Sequence, residues 1–424
     1  LFHWLDSDQH VTAAAWLGVG LAALALLGIP SLIGTWATVL VWLGMWLLYL
    51  SIVNVGRTFY GFGWESMLLE AGFLAIFLGA AQTAAPAIVI WLFRWLLFRD
   101  MFGAGLIKIR GDECWRDLTC MHYHFETQPM PNPLSWFFHH LPDWAKKGGV
   151  LFNHLVELII PFLYFAPQPF AAVAGIVTIV FQSMLIISGN FSWLNWMTLI
   201  FAFSLFSDAM ITAVLPVSAP ATVSMGLPHQ IAVIGLAGLI IYLSRKPVMN
   251  LISSRQVMNT SFDPFHIVNT YGAFGHITKQ RYQLVIEGTR DEEIDDDTEW
   301  QEYEFKGQPV RLDRLPPQWA PYHLRLDWQL WFAAMRSPHR SPWFITLLNK
   351  LLENDDNTLE LLRHNPFEDE PPEHVRAVRY IYEFTSPREY RETGNWWKRE
   401  QQDIYIHPIS EDDPFRSPGV RLRR

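Results

Sequence analysis

Long apolar stretches in the first 247 residues constrain the fold of this chain more than any other feature of its sequence. Crossing a bilayer requires about 20 mainly apolar residues, because every backbone N–H and C=O must find its hydrogen bond inside the segment. Charges are rare there, since residues 1–247 contain 10 of the 32 Lys and Arg and 12 of the 41 Asp and Glu. The candidate spans are residues 11–28, 32–53, 66–81, 85–98, 150–166, 170–187, 194–206 and 230–243. Because some are short, we predict a polytopic α-helical membrane domain with about seven to nine membrane segments, one or two of them re-entrant.

The composition changes sharply after residue 247. Arg245 and Lys246 close the last apolar stretch, and Pro247 opens a region that holds the majority of the charged residues. We therefore predict two domains: a membrane domain, residues 1–247, which includes the polar loop 111–149, and a soluble domain, residues 248–424. The net charge of −9 argues against a nucleic-acid partner.

Two features of the sequence disagree about the orientation of the chain. The positive-inside rule would draw basic residues such as Arg245 and Lys246 to the cytoplasm, together with the tail. The only two cysteines, Cys114 and Cys120, lie six residues apart in one polar loop and could close a disulfide in an oxidising compartment; two unpaired thiols fit the sequence equally well. Four candidate spans separate this loop from the tail, so both should face the same side. A disulfide would therefore place the tail outside the cytoplasm.

Ionisable side chains interrupt several apolar stretches. Such groups are costly at membrane depth and usually face a protein interior or a wet cavity, which makes each one a functional candidate. The candidates for one buried polar pocket are Lys108, Arg110, Glu70, His154 and Glu157. His154 and Glu157 lie three apart on one helical face, which permits a metal half-site or an acid–base pair. The alternative, which we favour, is that Glu157 neutralises Lys108 or Arg94 and only fixes helix packing. A desolvated Lys108 would favour its neutral form and could act as a base.

The loop 111–149 is rich in polar side chains. His122, His124 and Glu126 alternate and would share one face of a strand, where they could ligate a metal; the alternative, which we favour, is a hydrogen-bonded lid with no metal. The sequence contains no phosphate-binding loop, dinucleotide glycine pattern or serine elbow. It therefore identifies no cofactor, and whether the chain is an enzyme stays open.

The tail shows both strand and helix patterns, which predict an α+β module with a small β-sheet or sandwich. The expected strands are residues 281–287, 301–305 and 377–384, and the expected helices are residues 328–335, 343–352 and 358–364. The first two strands should form a hairpin across the acidic loop 291–299. The aromatic and proline-rich stretch around Trp319 would suit a client-binding surface, or it packs the module onto the membrane domain.

The run GDECWRDLTCMHYHFETQPMPNPLSW, residues 111–136, resembles the central signature of the lipase maturation factor family. Stretches on either side resemble the membrane motifs of this family: RTFYGFGWESMLLEAGFLAIF (57–77), FNHLVELIIPF (152–162) and ISGNFSWLNWMTL (187–199). The tail resembles it in IVNTYGAFGHIT (267–278), APYHLRLDWQLWFAAM (320–335), SPWFITLLNKLL (341–352) and VRAVRYIYEF (375–384). The likeness covers nearly the whole chain.

The resemblance implies a function and an orientation. Animal members of the family are endoplasmic reticulum membrane proteins that help secreted dimeric lipases to fold and assemble, and their soluble tail is lumenal, which agrees with a disulfide between the cysteines. For this chain it implies a lipase or another exported protein as client, membrane lipids as surroundings, and the endoplasmic reticulum membrane or a bacterial inner membrane as location. The residues it implies in client contact are Trp115, Arg116, Asp117, His122, His124, Glu126 and Gln128 of the signature, with Trp319 and Trp328 of the tail.

A more distant likeness links AGLIK, residues 104–108, followed by Trp115, to the membrane domain of vitamin K-dependent γ-carboxylase. In that enzyme a lysine after such a glycine is the catalytic base, which corresponds to Lys108. The second hypothesis is therefore a membrane enzyme that uses Lys108 as base on a lipid-like or quinone substrate. We expect the maturation factor.

Overall fold

The computed structural model describes residues 7–216 and 223–411, and the chain divides into two compact units. Unit 1 comprises Leu1–Thr119, Lys147–Leu185 and Trp193–His276, and unit 2 comprises Cys120–Lys146, Ile186–Ser192 and Ile277–Arg424. Each unit is thus assembled from three separate stretches of the sequence.

The described part of the chain up to residue 252 is mainly helical. In chain order the first helices are α1 (Asp8–Leu26), α2 (Ile29–Ile33), α3 (Thr35–Val55), α4 (Gly63–Ala75), α5 (Ala87–Arg110) and α6 (Glu113–Arg116). They are followed by α7 (His124–Thr127), α8 (Ser135–His139), α9 (Asp143–His154), α10 (Phe170–Ser188), α11 (Leu194–Ala202), α12 (Asp208–Val214) and α13 (Leu227–Ile252). Short 3₁₀ turns connect several of them.

Five helices of the described residues are long and apolar enough to cross a bilayer: α1, α3, Asp143–Phe165, α10 and α13. A sixth crossing is possible if the bent pair of Leu194–Leu205 and Asp208–Val214 counts as one span. The expected seven to nine segments are therefore not confirmed. The expected span 66–81 is the 13-residue helix α4, about 20 Å long, which is shorter than the hydrocarbon core. The expected span 85–98 belongs to the longer α5, whose second half is charged.

The helices of unit 1 differ in how much of their surface is covered. In α1 only Ala14 is buried, and large apolar side chains such as Trp16 and Leu17 are exposed, as expected of a helix that faces lipid. In α5, by contrast, Leu96, Leu97 and Met101 lie in the hydrophobic core of the unit. The charged side chains of Arg99, Asp100 and Lys108 on α5 are buried there as well, so the surrounding residues shield them from lipid.

The span Asp143–Phe165 changes helix type along its length. It begins as α9, continues as a π-helical turn over Leu155–Ile159 and ends as a 3₁₀ helix over Ile160–Phe165. Pro161 accounts for the change, because proline offers no backbone N–H and its ring clashes with the preceding turn. The π-helical turn contains Glu157, which it places in the interior of unit 1.

Unit 2 is built on a four-stranded antiparallel sheet with the strand order β2-β1-β5-β6. Its strands are β1 (Arg281–Thr289), β2 (Gln301–Glu302), β5 (His374–Phe384) and β6 (Trp397–Ser410), and β3 (Glu304–Phe305) pairs separately with β4 (Leu362–His364). The helices beside it are α14 (Arg325–Ala334), α15 (Pro342–Leu352), α16 (Asp356–Leu359) and α17 (Pro387–Thr393). The expected small sheet after the apolar helices is confirmed, and β1 and β2 form the expected hairpin.

Two local expectations differ from the structure. Residues 120–127 are a 3₁₀ turn followed by the short helix α7, so His122, His124 and Glu126 do not share one strand face. The stretch 358–364 is not one helix, because its end is strand β4. Strand β6 was not expected from the sequence; in its first half residues 398–403 are all polar.

Candidate functional site

Lys108 and Glu157 form a buried ion pair inside unit 1. The Lys108 Nζ atom is 2.5 Å from Glu157 Oε1 and 3.0 Å from Oδ1 of Asn153. The Asn153 amide in turn donates to Glu157 Oε2 at 3.0 Å, and all three residues are almost fully buried. Each charge therefore meets its counter-charge at hydrogen-bonding distance, which a buried pair needs if it is to offset the loss of hydration.

Close packing brings the two charged side chains together. A Cβ atom added at Gly105 of α5 would lie only 2.9 Å from the Glu157 Cβ atom, so glycine is needed for α5 to approach the π-helical turn. The Lys108 Nζ atom also lies 5.1 Å from the centre of the Trp115 ring, whose face attracts a cation. An ammonium group that donates to a carboxylate has no lone pair with which to accept a proton. The geometry is that of a charged pair and does not require a catalytic base.

Glu70 lies in a second cluster within unit 1. Its carboxylate forms a two-pronged salt bridge with the Arg99 guanidinium, and it also accepts hydrogen bonds from the Asn269 backbone N–H at 3.0 Å and the Tyr271 hydroxyl at 2.7 Å. Arg99 donates further to the Asn269 carbonyl at 2.6 Å. This cluster ties α4 and α5 to the stretch that follows α13.

The five residues expected in one polar pocket are thus distributed over different surroundings. Lys108 and Glu157 pair with each other, whereas Glu70 pairs with Arg99. Arg110 is exposed and donates to the Gln256 side chain at 2.8 Å. His154 is half-buried, and its Nε2 atom is 2.9 Å from the Trp115 carbonyl oxygen.

The candidate site residues expected from the sequence did not include Asp100 or Asn153, two of the buried polar residues of unit 1. Asp100 is buried and accepts a hydrogen bond from the Thr198 hydroxyl at 2.8 Å. Asn153 completes the Lys108–Glu157 pair. Asp100 could have been found as a carboxylate inside an apolar helix, but Asn153 is neutral and carries no such signal; only its position four residues before Glu157 links the two.

Glu126, in the part of the signature that belongs to unit 2, has a carboxyl pKa far from its ordinary value. Its Oε2 atom accepts the Phe384 backbone N–H at 2.6 Å and lies 3.9 Å from Nε2 of His139. Burial raises the pKa of the Glu126 carboxyl to about 7, and burial, with His140 as a lesser cause, lowers the pKa of His139 to about 4. Burial therefore disfavours the charged form of both side chains.

Arg281 holds the turn after Glu126 in place. Its guanidinium donates to the backbone carbonyl oxygens of Glu126, Gln128 and Pro129 at 3.2, 2.5 and 3.2 Å, and to Oε1 of Gln308 at 2.9 Å. Arg281 is fully buried, which lowers its pKa to about 9. The first residue of β1 thus fixes the stretch 126–129 against the sheet.

The short stretch Ile186–Ser192 is fixed by two amide side chains. The Gln128 amide donates to the Ser188 carbonyl oxygen at 3.1 Å. The Asn190 amide donates to the carbonyls of Pro131 and Pro317, and its oxygen accepts the backbone N–H groups of Trp319 and Ala320, all between 2.8 and 3.1 Å. Three distant parts of the sequence are joined in this way.

The other expected client-contact residues differ in exposure. Arg116 and Asp117 are exposed, and Arg116 donates to the Ile109 carbonyl at 2.9 Å. His122 is half-buried and lies 3.1 Å from Asp143. Most of the remaining ones are buried, as His124, Gln128 and Trp328 are, and Trp319 is half-buried. Buried residues support the unit and do not touch a partner directly.

Among residues 7–216 and 223–411 no group of three or more His, Cys, Asp or Glu side chains could hold a metal ion. The histidines and Glu126 of the signature lie in two different short elements, so their side chains do not converge.

Comparisons with known proteins name the family. A profile described as the lipase maturation factor transmembrane domain matches residues 1–213, and one described as the lipase maturation factor C-terminal domain matches residues 267–407. The chain belongs to the lipase maturation factor family. It is 42% identical to lipase maturation factor 1 of Homo sapiens, over 100% of this chain and 79% of that protein. Its identity to lipase maturation factor 2 of Homo sapiens is 28%, over 97% of this chain and 74% of that protein. No solved structure matches the chain.

The disulfide and the long apolar helices both agree with membership of the lipase maturation factor family. Cys114 and Cys120 are disulfide-bonded. The chain is an integral membrane protein by its family and by its apolar helices. The matches give no support to the γ-carboxylase alternative, and the ion-paired Lys108 does not call for it.

Proposed function

We propose that this chain is a membrane-embedded maturation factor that assists the folding and assembly of secreted lipases, and that unit 2 meets the client. The single observation that carries the proposal is the family match along the whole chain, to proteins named for lipase maturation. The proposed location is the endoplasmic reticulum membrane, or the inner membrane in a bacterium. A secreted client passes through the compartment on the far side of either membrane.

The disulfide supports an extracytoplasmic position for unit 2. Disulfides persist in oxidising compartments and are rare in the cytosol. Cys120 is the first residue of unit 2, so the loop that carries it faces the oxidising side. Arg245 and Lys246 would by themselves favour the opposite orientation, but the charge bias is a statistical rule and a covalent bond is a stronger constraint.

Hydrogen bonds inside unit 2 support the same side for all three of its stretches. Asn190 bonds to Pro131 and to Pro317, and these residues come from the three different stretches. The chain must therefore cross the membrane an even number of times between each stretch and the next. Asp143–Phe165 and α10 supply two crossings, and the bent pair with α13 supplies two more.

Contacts inside unit 1 support two further crossings, by α4 and α5. At one end of the helices, the Ala84 backbone N–H donates to the Val223 carbonyl at 3.1 Å. At the other end, the Asp112 N–H donates to the Gly275 carbonyl at 2.9 Å. Helix α5 connects these two ends, and α4 crosses in the opposite direction before it. Together with the five long apolar helices and the bent pair, this gives eight proposed crossings. Helix α4 is short and α5 is charged in its second half, which sets both apart from the long apolar helices such as α1 and α10.

The proposed client surface lies around Trp319 and Tyr322. Tyr322 is 64% exposed and lies 6.4 Å from the half-buried Trp319, centre to centre. Trp319 is anchored by its backbone N–H to Asn190, so the aromatic pair is held at a fixed position. Rigid aromatic side chains make good anchors for a protein partner, because little conformational entropy is lost when they bind.

The test is secretion of an active lipase from cells that lack their own maturation factor and express variants of this chain. We expect Tyr322→Ala to lower the lipase activity per mass of secreted lipase severalfold, with the membrane protein at its normal level. The matched control is Tyr242→Ala, which removes an equally exposed tyrosine from α13. Unchanged lipase activity with Tyr322→Ala would contradict the proposed surface.

A variant without the buried charges of Lys108 and Glu157 distinguishes the enzyme hypothesis from the maturation factor hypothesis. Lys108→Met alone leaves Glu157 without its counter-charge and lowers the amount of folded protein, whereas Lys108→Met/Glu157→Gln removes both charges. We expect the double variant, at equal protein level, to support lipase maturation. Loss of maturation in the double variant at a normal protein level would favour a catalytic lysine.

A further inference from the structure

Residues 134–144, which we call the interfacial segment, expose large apolar side chains. Leu134, Phe137, Leu141 and Trp144 are 43%, 50%, 38% and 77% exposed. They recur every three to four residues, and the intervening Ser135 is buried. So much exposed apolar surface within eleven residues is unusual for a segment that faces water and indicates a partner.

The interfacial segment is firmly held from its inner side. Trp136 is buried, its Nε1 atom donates to the Thr385 carbonyl at 2.8 Å, and its ring lies 5.5 Å from that of Trp396. The Ser135 hydroxyl donates to the Ser188 carbonyl at 3.0 Å. The outward side chains are therefore presented by an ordered scaffold, and their exposure is a built feature of unit 2.

The chain continues from this segment directly into a membrane span. Helix α9 and its continuation, Asp143–Phe165, begin at the end of the segment, and Trp144 is the second residue of that helix. The first strongly apolar residue of the span is Val150, six residues later, which corresponds to about 9 Å along the helix axis. The polar layer of a bilayer is roughly 5–8 Å deep on each side of the hydrocarbon. Trp144 thus lies at about the level of the lipid headgroups.

The chemistry of the exposed side chains also fits the headgroup layer. Tryptophan is enriched at this depth, because its ring is apolar and its N–H is polar. Leu134, Phe137 and Leu141 supply apolar surface that would reach toward the acyl chains, and the exposed Lys147 can extend its ammonium group to lipid phosphates.

We infer that the interfacial segment inserts its exposed apolar side chains into the headgroup layer of the membrane and so anchors unit 2 at the bilayer surface. The occupant of this surface is lipid. The inference does not depend on the identity of the client, because it concerns a different surface from that of Tyr322.

The test is the depth of spin labels in the full-length protein, reconstituted into phospholipid nanodiscs. Single cysteines are introduced by Phe137→Cys and Leu141→Cys; the native cysteines are disulfide-bonded and do not react with the label under non-reducing conditions. The lipid control is Ile176→Cys on the exposed face of α10, and the water control is Asn357→Cys in α16. Collisions of each label with oxygen, which concentrates in lipid, are compared with collisions with a water-soluble nickel complex.

We expect the labels at positions 137 and 141 to favour oxygen over nickel, with a ratio between those of the lipid and water controls. A ratio equal to that at position 357 would overturn the inference. So would a water-like ratio that changes only when a folded lipase is added, since the segment would then be a protein docking surface. Circular dichroism and the native elution volume establish that each variant is folded before it is labelled.

Discussion

Buried carboxyl groups of this chain differ in whether an oppositely charged side chain lies beside them. Glu157 pairs with Lys108 and Glu70 with Arg99, so these two buried carboxylates of unit 1 each have an opposite charge beside them. Glu126 in unit 2 has no such partner at hydrogen-bonding distance; it accepts a backbone N–H and lies 3.9 Å from His139. The protonation state of Glu126 is therefore sensitive to pH in the physiological range.

Replacement of Glu126 by glutamine should stabilise unit 2 at high pH. The folded protein keeps a proton on Glu126 up to about pH 7, whereas the unfolded chain loses it near its ordinary value of 4.5. The stability that this group contributes is present below pH 4.5 and is lost as the pH rises through 7. Glu126→Gln should leave the thermal midpoint at pH 4.5 unchanged and raise stability at pH 8 by up to about 3 kcal/mol.

His139 acts in the opposite direction and must be separated from Glu126. Its folded pKa of about 4 lies below the unfolded value of 6.5, so its contribution is present above pH 6.5 and is lost as the pH falls through 4. The difference between Glu126→Gln and the parent protein at each pH cancels the histidine contribution. A thermal midpoint lowered by Glu126→Gln at pH 8 would contradict this assignment.

Charged residues were predictable from the sequence where they interrupt an apolar stretch, but most of their partners were not; for Glu157 the sequence suggested Lys108 or Arg94. Lys108 and Glu157 stand out by their surroundings and prove to be paired. Asn269, which joins the Glu70 cluster from 199 positions away, has no local signature. Partner identity depends on the tertiary fold, which periodicity in a single sequence does not encode.

The short connecting stretch Ile186–Ser192 links the other two stretches of unit 2. It begins in the last turn of α10, and its side chains and backbone bond to both other stretches of unit 2. Gly189 is packed closely there, because an added Cβ atom would lie 2.1 Å from Gln128 Oε1 and 2.5 Å from the Phe191 ring. This element has no room for a side chain.

Gly189→Ala should therefore destabilise unit 2 by about 1–3 kcal/mol, the usual range for overpacking in a tight site. The matched control is Gly148→Ala in α9, where an added Cβ atom meets nothing within 4 Å and alanine favours the helix. The thermal midpoint in detergent and the hydrogen exchange of residues 126–132 measure the effect. Equal midpoints for the two variants would show that the stretch is not tightly packed.

Element prediction succeeded where side-chain periodicity was strong and failed where it was not. The buried strand β1 and the amphipathic helix α15 were expected at nearly their observed positions. The edge strand β6 was missed, because residues 398–403 are all polar and do not alternate with apolar ones. Alternation over 122–126 suggested a strand, yet this stretch forms helical turns, and Arg281 donates to the Glu126 carbonyl at its end.

At the scale of the whole molecule, the arrangement of unit 2 has the largest consequence. Its three stretches are separated in sequence by spans of the membrane helices, and their hydrogen bonds place them together. Composition predicted a membrane part and a water-soluble part. It could not predict that residues 120–146 belong with the tail, since this depends on contacts between residues more than 100 positions apart.

The measurement that tests this account most directly is side-specific labelling of single cysteines in sealed vesicles of known orientation. Asp143→Cys reports on the first stretch of unit 2, Asn357→Cys on the tail, and Gln168→Cys on the turn between Asp143–Phe165 and α10. A membrane-impermeant maleimide should label positions 143 and 357 from the lumenal or periplasmic side only, and position 168 from the cytoplasmic side only. Labelling of positions 143 and 357 from opposite sides, or of both from the cytoplasm, would contradict the account.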